Sequence, residues 1–211
     1  MELYQKYRPK TLDDFIGQDK IKKQISVLMA RDEWDRDALW IQGASGTGKT
    51  TLAWIIALAK SNDFFTTELD GDKCDKESVH ELERALWLST WHGEWRVIIV
   101  NEAHGMTRAA VQAWLTLLER LPKHALIIFT TTEELKSDLF GNFSGPFGSR
   151  CKVFSFTNQG LAQLMADRAR EIAALEGLDG QPAQRYARLV QDCHNNFREV
   201  LQKIDAGAML A

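Results

Sequence analysis

Gly43-Ala44-Ser45-Gly46-Thr47-Gly48-Lys49-Thr50 is a complete G-x-x-x-x-G-K-[ST] loop, and it limits what this chain can fold into more than any other stretch. Such a loop needs a strand before it and a helix after it. The apolar run Ala38-Leu39-Trp40-Ile41 reads as the strand, and Thr51 to Ala59 has helix-forming composition with apolar residues at helical spacing. The glycines let the backbone wrap a phosphate so that successive N–H groups point at it, and the helix dipole adds to the attraction. Ala44, Ser45, Gly46, Thr47, Gly48 and Thr51 are therefore candidate phosphate-cradle positions. Lys49 is expected to reach the β- and γ-phosphate oxygens, and the Thr50 hydroxyl to ligate Mg²⁺. The motif implies a site for a nucleoside triphosphate.

The strand pattern continues at Phe64 to Leu69, Trp95 to Val100, Ala125 to Thr131 and Cys151 to Phe156, with helical patterns between. In one of these Thr107 is placed to cap, Val111, Trp114, Leu115, Leu118 and Leu121 recur at helical spacing, and Pro122 closes the run. Strands alternating with helices imply an α/β fold, a five-stranded parallel sheet flanked by helices on both faces. After Phe156 the strand pattern stops. Helical stretches follow at roughly 158–175, 181–193 and 197–206, which predicts a boundary near 157: an α/β nucleotide-binding domain over 1–157 and a small helical domain over 158–211. Trp54, Trp87 and Trp114 fall on helical faces and are expected in the core, and His92-Gly93-Glu94 reads as a tight turn into the next strand.

A net charge of −3 excludes a global basic field, so any nucleic-acid surface must be a local patch. Cys74, Cys151 and Cys193 are widely spaced and odd in number, forming neither a disulfide framework nor a C-x-x-C metal site. The opening residues are polar, and no apolar run has membrane-spanning length. The expectation is a cytoplasmic protein without a membrane partner, nucleoid-associated if cellular.

Hydrolysis needs a second acidic strand end beside the γ-phosphate. Trp95 to Val100 is placed to supply it, ending in Asn101-Glu102-Ala103-His104. Glu102 is the candidate to orient and activate the attacking water. Asn101 stands where an aspartate is usual; its amide oxygen can hold a metal-bound water but carries no charge.

Lys6-Tyr7-Arg8-Pro9-Lys10-Thr11-Leu12-Asp13-Asp14-Phe15-Ile16-Gly17-Gln18 resembles the opening segment of sliding-clamp loader ATPases, the small subunit of replication factor C and its bacterial and phage counterparts, within the AAA+ class. That resemblance implies that Tyr7, Arg8, Ile16 and Gly17 line a pocket for the adenine of ATP. It makes Thr132 a polar sensor of the γ-phosphate and Arg198 a contact from the helical lid domain. In Ser149-Arg150-Cys151 it makes Arg150 an arginine finger reaching a neighbouring subunit's site. It also implies a DNA-proximal helix after Glu68-Leu69-Asp70-Gly71-Asp72, with Lys73, Lys76 and Arg108 as candidate contacts to the backbone of primed double-stranded DNA.

The resemblance spans roughly residues 4–206. Asn195-Asn196 replaces the Gly-Asp that commonly precedes the lid arginine, and the collar that follows the lid in clamp loaders has no counterpart, so a fragment and a compact relative are both open. No zinc insert is present, leaving ATP and Mg²⁺ as the implied cofactors. The function implied is an ATP-hydrolysing subunit of an oligomeric clamp-loader-like assembly with inter-subunit ATP sites, its partners a sliding clamp, other loader subunits and DNA. Two alternatives stay open: an ATP-binding interaction module with little or no hydrolysis, which Asn101 favours, and another ring ATPase such as a helicase loader or branch-migration motor.

Overall fold

A computed structural model describes residues 1–31, 36–88, 95–132 and 144–210. The turn expected at His92–Glu94 lies outside the described residues. Strands β1 (Arg36–Gln42), β2 (Thr66–Asp70), β3 (Arg96–Asn101), β4 (Ala125–Thr131) and β5 (Lys152–Ser155) form one sheet in the order β2-β3-β4-β1-β5. Every pairing is parallel. The parallel α/β sheet expected from the alternation is what forms. Its carboxyl-terminal edge gathers Gln42, Asp70, Asn101, Thr131 and Ser155, the edge at which open α/β sheets bind ligands.

Strand burial follows position in the sheet. β4 is buried at every residue, whereas β2, at one edge, has none of its residues buried. Alternate side chains of the inner strands feed two cores. On one face Trp40, Ile98, Val100, Ile127 and Phe129 pack with Val79 and Leu86 of α4 (Lys76–Leu86), with Val111 and Trp114 of α5 (Arg108–Glu119), and with Phe147 of α6 (Ser144–Arg150). On the other face Leu39, Ile41, Ile99 and Ile128 meet Ile25 of α2 (Asp19–Met29) and Leu52 and Ile56 of α3 (Lys49–Lys60). A third core joins α7 (Ala162–Leu175), α8 (Ala183–Asp192) and α9 (Phe197–Asp205). Leu3 of the short N-terminal helix α1 (Leu3–Lys6) is buried in this same core. The chain's first residues thus pack on its last helices.

A side-chain clasp reinforces that closure. Gln18 donates through Nε2 to the Thr157 carbonyl at 2.7 Å and accepts from the Thr157 N–H at 3.2 Å. The clasp joins the opening segment to the point where strand pattern gives way to helix. Gly17 (φ +69°) lies against Leu161, whose Cδ2 would be 2.5 Å from an added Cβ.

Some expectations shift in detail. Phe64 and Phe65 sit in a single 3₁₀ turn capped by the Asn62 side chain, so β2 begins at Thr66. Thr107 caps α5 as expected, accepting from Ala110 N at 3.2 Å. Trp114 is fully buried, but Trp87 is 60% exposed and corrects the expectation of a core residue. It falls just past the last residue of α4, off the Val79–Leu86 stripe that meets the sheet. Trp54 is half-buried, with its indole N–H on Glu68 Oε2 at 2.9 Å.

Trp114 meets Phe129 edge to face at 5.2 Å and donates its indole N–H to Cys74 Sγ at 3.2 Å. Trp114→Ala is expected to cost about 3–5 kcal/mol in urea unfolding, the usual range for emptying such a site. A loss below about 1 kcal/mol would mean that the core collapses around the gap rather than depending on the ring.

Candidate functional site

The phosphate loop leaves β1 at Gln42 and enters α3 at Lys49. Three of its glycines, Gly43, Gly46 and Gly48, have positive φ (+152°, +74° and +93°), a conformation that side chains resist. Space forbids a side chain as well. A Cβ at Gly46 would lie 1.8 Å from Asn196 Oδ1, and one at Gly48 2.8 Å from the ring of Phe15. The loop is pressed from one side by the opening segment and from the other by the start of α9.

The loop opens into a cleft of about 570 Å³ lined by Tyr7, Arg8, Ile16, the loop residues Ser45 to Thr51, Glu102 and Arg198, all expected from the sequence. Arg8 donates to Thr51 Oγ1 at 3.2 Å, and the Arg198 guanidinium lies over the Tyr4 ring at 5.5 Å. Ala44 and Gly17 do not line the cleft; Gly17 packs behind it on Leu161. Phe15, Met165, Arg168, Phe197 and Leu201 line it too and were not anticipated. Nothing in the local pattern of α7 sets Arg168 apart from Arg170; only the docking of α7 brings it to the cleft wall, where it also pairs with Glu171 at 3.0 Å.

Lys49 is buried, its ammonium donating to the carbonyls of Gly43 at 2.8 Å and Ala44 at 2.9 Å. Burial pushes its pKa down, the Glu102 carboxylate opposes that, and Arg198 adds to the lowering. Burial likewise lowers Arg8, with Glu68 opposing. Cations held partly desolvated beside a glycine-rich loop at a helix start suit a polyanion, and the loop glycines are too closely approached to carry side chains. The residues present fit a nucleoside triphosphate.

On the sheet edge, Asn101 Oδ1 accepts from Thr50 Oγ1 and from Thr130 Oγ1, both at 3.0 Å. These hard oxygens fit Mg²⁺. Glu102 follows in a left-handed conformation (φ 47°). Gly71 accommodates that turn: a Cβ there would lie 2.4 Å from the Glu102 carbonyl oxygen. Thr132 Oγ1 is 3.4 Å from Glu102 Oε2, and His104 Nδ1 lies 3.3 Å from the same oxygen and 3.1 Å from Thr131 Oγ1. Glu102 and Thr132 are thus brought together, whereas Arg150 is not with them. Arg150 precedes β5 and pairs with Glu119 at the far end of α5, with a second contact to the Pro146 carbonyl at 3.0 Å.

The Asn195-Asn196 pair keeps local geometry that a Gly-Asp pair would suit. Asn195 takes the left-handed conformation (φ 59°), which asparagine tolerates better than most residues. Asn196 caps α9, its side chain accepting from Glu199 N at 3.3 Å. The Asn-x-x-Glu spacing is the sequence signal for that cap.

A parallel five-stranded sheet with a phosphate loop after β1, an acidic turn after β3 and a helical layer over the cleft defines a P-loop ATPase domain of the AAA+ class. Residues 7–120 match the family described as "Holliday junction DNA helicase RuvB P-loop domain", more than half of the chain, and the chain belongs to that family. Its sequence relatives carry replication names. It is 30% identical over 202 residues to DNA polymerase III subunit gamma/tau of Mycoplasma pneumoniae, covering 83% of this chain and 28% of that protein. It is 27% identical over 215 residues to the replication factor C small subunit of Natronomonas pharaonis, covering 98% and 62%. The chain therefore spans between about a quarter and three-fifths of these relatives' length. The resemblance carried by Lys6–Gln18 and Ser149–Cys151 agrees with these names. In fold, the chain superposes on the Thermotoga maritima RuvB Holliday junction branch migration motor with a TM-score of 0.69 at 23% identity, over 94% of this chain and 64% of that one.

Because Gly46 carries both the positive φ and the contact with Asn196, Gly46→Ala must displace α9 or deform the loop. Nucleotide affinity is expected to fall at least about tenfold while the urea midpoint moves little. Unchanged affinity, measured with a fluorescent ADP analogue, would show that the start of α9 does not rest on a working loop.

Proposed function

We propose that the chain is the ATP-hydrolysing subunit of a cytoplasmic clamp-loader-like assembly that acts on primed DNA in replication, with residues 1–157 as its nucleotide-binding domain and 158–211 as a lid. The observation that carries this reading is the joint arrangement of the phosphate loop, the Glu102–Thr132 pair and an Arg150 that does not line its own cleft but pairs with Glu119.

Binding falls to the loop N–H groups, to Lys49, which would leave the Gly43 and Ala44 carbonyls for phosphate oxygens, and to Arg198 from the lid. Thr50 and Asn101 would hold Mg²⁺, which when bound neutralises charge on the phosphates. Glu102 is the base that aligns water and accepts its proton, and Thr132 keeps that carboxylate aimed. Arg150 completes the site of the adjacent subunit, where a guanidinium stabilises charge on the transferring phosphoryl group.

The DNA reading rests on charge placement. Lys76 and Arg108 are exposed first residues of α4 and α5, and Lys73 stands exposed in the turn before α4. A cation at the positive end of a helix dipole is unfavourable by itself, and a phosphate backbone relieves it. A branch-migration motor shares the fold, and the replication names of the sequence relatives favour the clamp-loader reading over it.

Lys49→Ala is expected to weaken ATP binding by roughly 10–100-fold, the worth of a charge-assisted contact, with the circular dichroism spectrum unchanged. Equal binding would overturn the cradle assignment.

Arg150→Ala should leave each subunit's ATP affinity intact yet cut hydrolysis in the assembly by about 10³–10⁵, the scale of an arginine finger. Mixing it with Glu102→Gln should restore part of the activity, since one class of mixed interface pairs an intact arginine with an intact glutamate. A mixed oligomer of confirmed composition without recovery, or a monomer turning over at full rate, would sink the shared-site reading.

A further inference from the structure

The Asn101 amide is held in one direction. Its oxygen accepts the Thr50 and Thr130 hydroxyls, each at 3.0 Å, and its Nδ2 donates to Glu68 Oε1. A carboxylate can only accept, so Glu68 draws the amide N–H₂ toward itself and turns the oxygen toward Thr50. The other Glu68 oxygen accepts the Trp54 indole N–H at 2.9 Å, which anchors the carboxylate from α3. Strand register explains the meeting. Glu68 pairs with Ile99 and Asp70 with Asn101, so Glu68 and Asn101 are diagonal neighbours on the α3 face of the sheet.

The oxygens gathered at Thr50, Asn101 and Thr130 carry no formal charge, and the carboxylate hydrogen-bonded to that cluster is Glu68. We propose that Glu68 is a positioning residue for Mg²⁺: through the Asn101 amide it supplies the negative charge that position 101 itself lacks. The Asn101–Glu68 pair then works as one unit, with the oxygen donor toward Thr50 and the charge one hydrogen bond behind it. This rests on the nucleotide-site reading above.

One consequence separates the idea from a simple missing charge at position 101. Asn101→Asp would set a second carboxylate against Glu68, and like charges at hydrogen-bond distance repel. An aspartate at 101 helps only when Glu68 is neutral. In the double variant Asn101→Asp with Glu68→Gln the hydrogen bond survives with donor and acceptor exchanged.

The test is binding of a fluorescent ADP analogue to the full chain across a Mg²⁺ titration, without reference to turnover. Glu68 is exposed, so Glu68→Gln should melt as the parent does, and in EDTA it should bind the analogue at least as well, since the charge removed also faces Arg8 of the cleft. Its half-saturating Mg²⁺ concentration should rise roughly five- to tenfold, the scale of one unit charge acting across solvated protein. Asn101→Asp alone should need no less Mg²⁺ than the parent, and the double variant should return to the parent's requirement or below. A parent-like Mg²⁺ requirement in Glu68→Gln, or a lowered one in Asn101→Asp alone, would overturn the proposal. A parent chain that bound no analogue at any Mg²⁺ concentration would overturn the nucleotide reading and this proposal with it, an outcome distinct from the other two.

Discussion

The molecule turns on how closely the phosphate loop is approached. A loop whose backbone amides must point inward needs left-handed residues, and those glycines leave room that the rest of the chain fills. Phe15 closes on Gly48, and Asn196 closes on Gly46. One contact comes from the opening segment and the other from the residue that caps α9, so the loop's shape and the chain's closure are the same constraint. The Gln18–Thr157 clasp and the burial of Leu3 among α7, α8 and α9 are what keep both ends of the chain at the loop.

That closure sets the electrostatics of the cleft. Arg8 arrives from the opening segment, Lys49 from α3, and Arg168 and Arg198 from the helical layer, all onto one cavity that also holds Asp14 and Glu102. Burial lowers the pKa of Lys49 and of Arg8, so the protein places cations where water serves them poorly. An anion of high charge is the natural remedy. Because the cations come from separate elements, a polyanion bound among them would also hold those elements together.

Arg150 follows the opposite logic. Its guanidinium is tied to Glu119 and to the Pro146 carbonyl, near the start of β5 rather than at the strand ends that frame the loop. Its head group is occupied there by the Glu119 carboxylate, the Pro146 carbonyl and the Ser149 hydroxyl.

Local patterning determined a large part of this architecture. The eight-residue loop, the apolar runs of β1, β3 and β4 and the Thr107 cap each depend on neighbours in sequence, so their physics is legible there. The parallel sheet follows from strands alternating with helices, and Tyr7, Arg8, Ile16, Lys49, Glu102 and Arg198 do converge on one cleft. What depended on distant partners was not legible. Trp87 reads as apolar but falls one residue beyond the stripe that meets the sheet. Arg168 resembles every other helical arginine until the folded chain brings α7 to the cleft, and Gly17 serves Leu161 rather than the cleft surface. The direction of the Asn101 amide was also decided by tertiary structure alone, because it is set by a carboxylate on the adjacent strand, 33 residues away in sequence, through a register that only the assembled sheet creates.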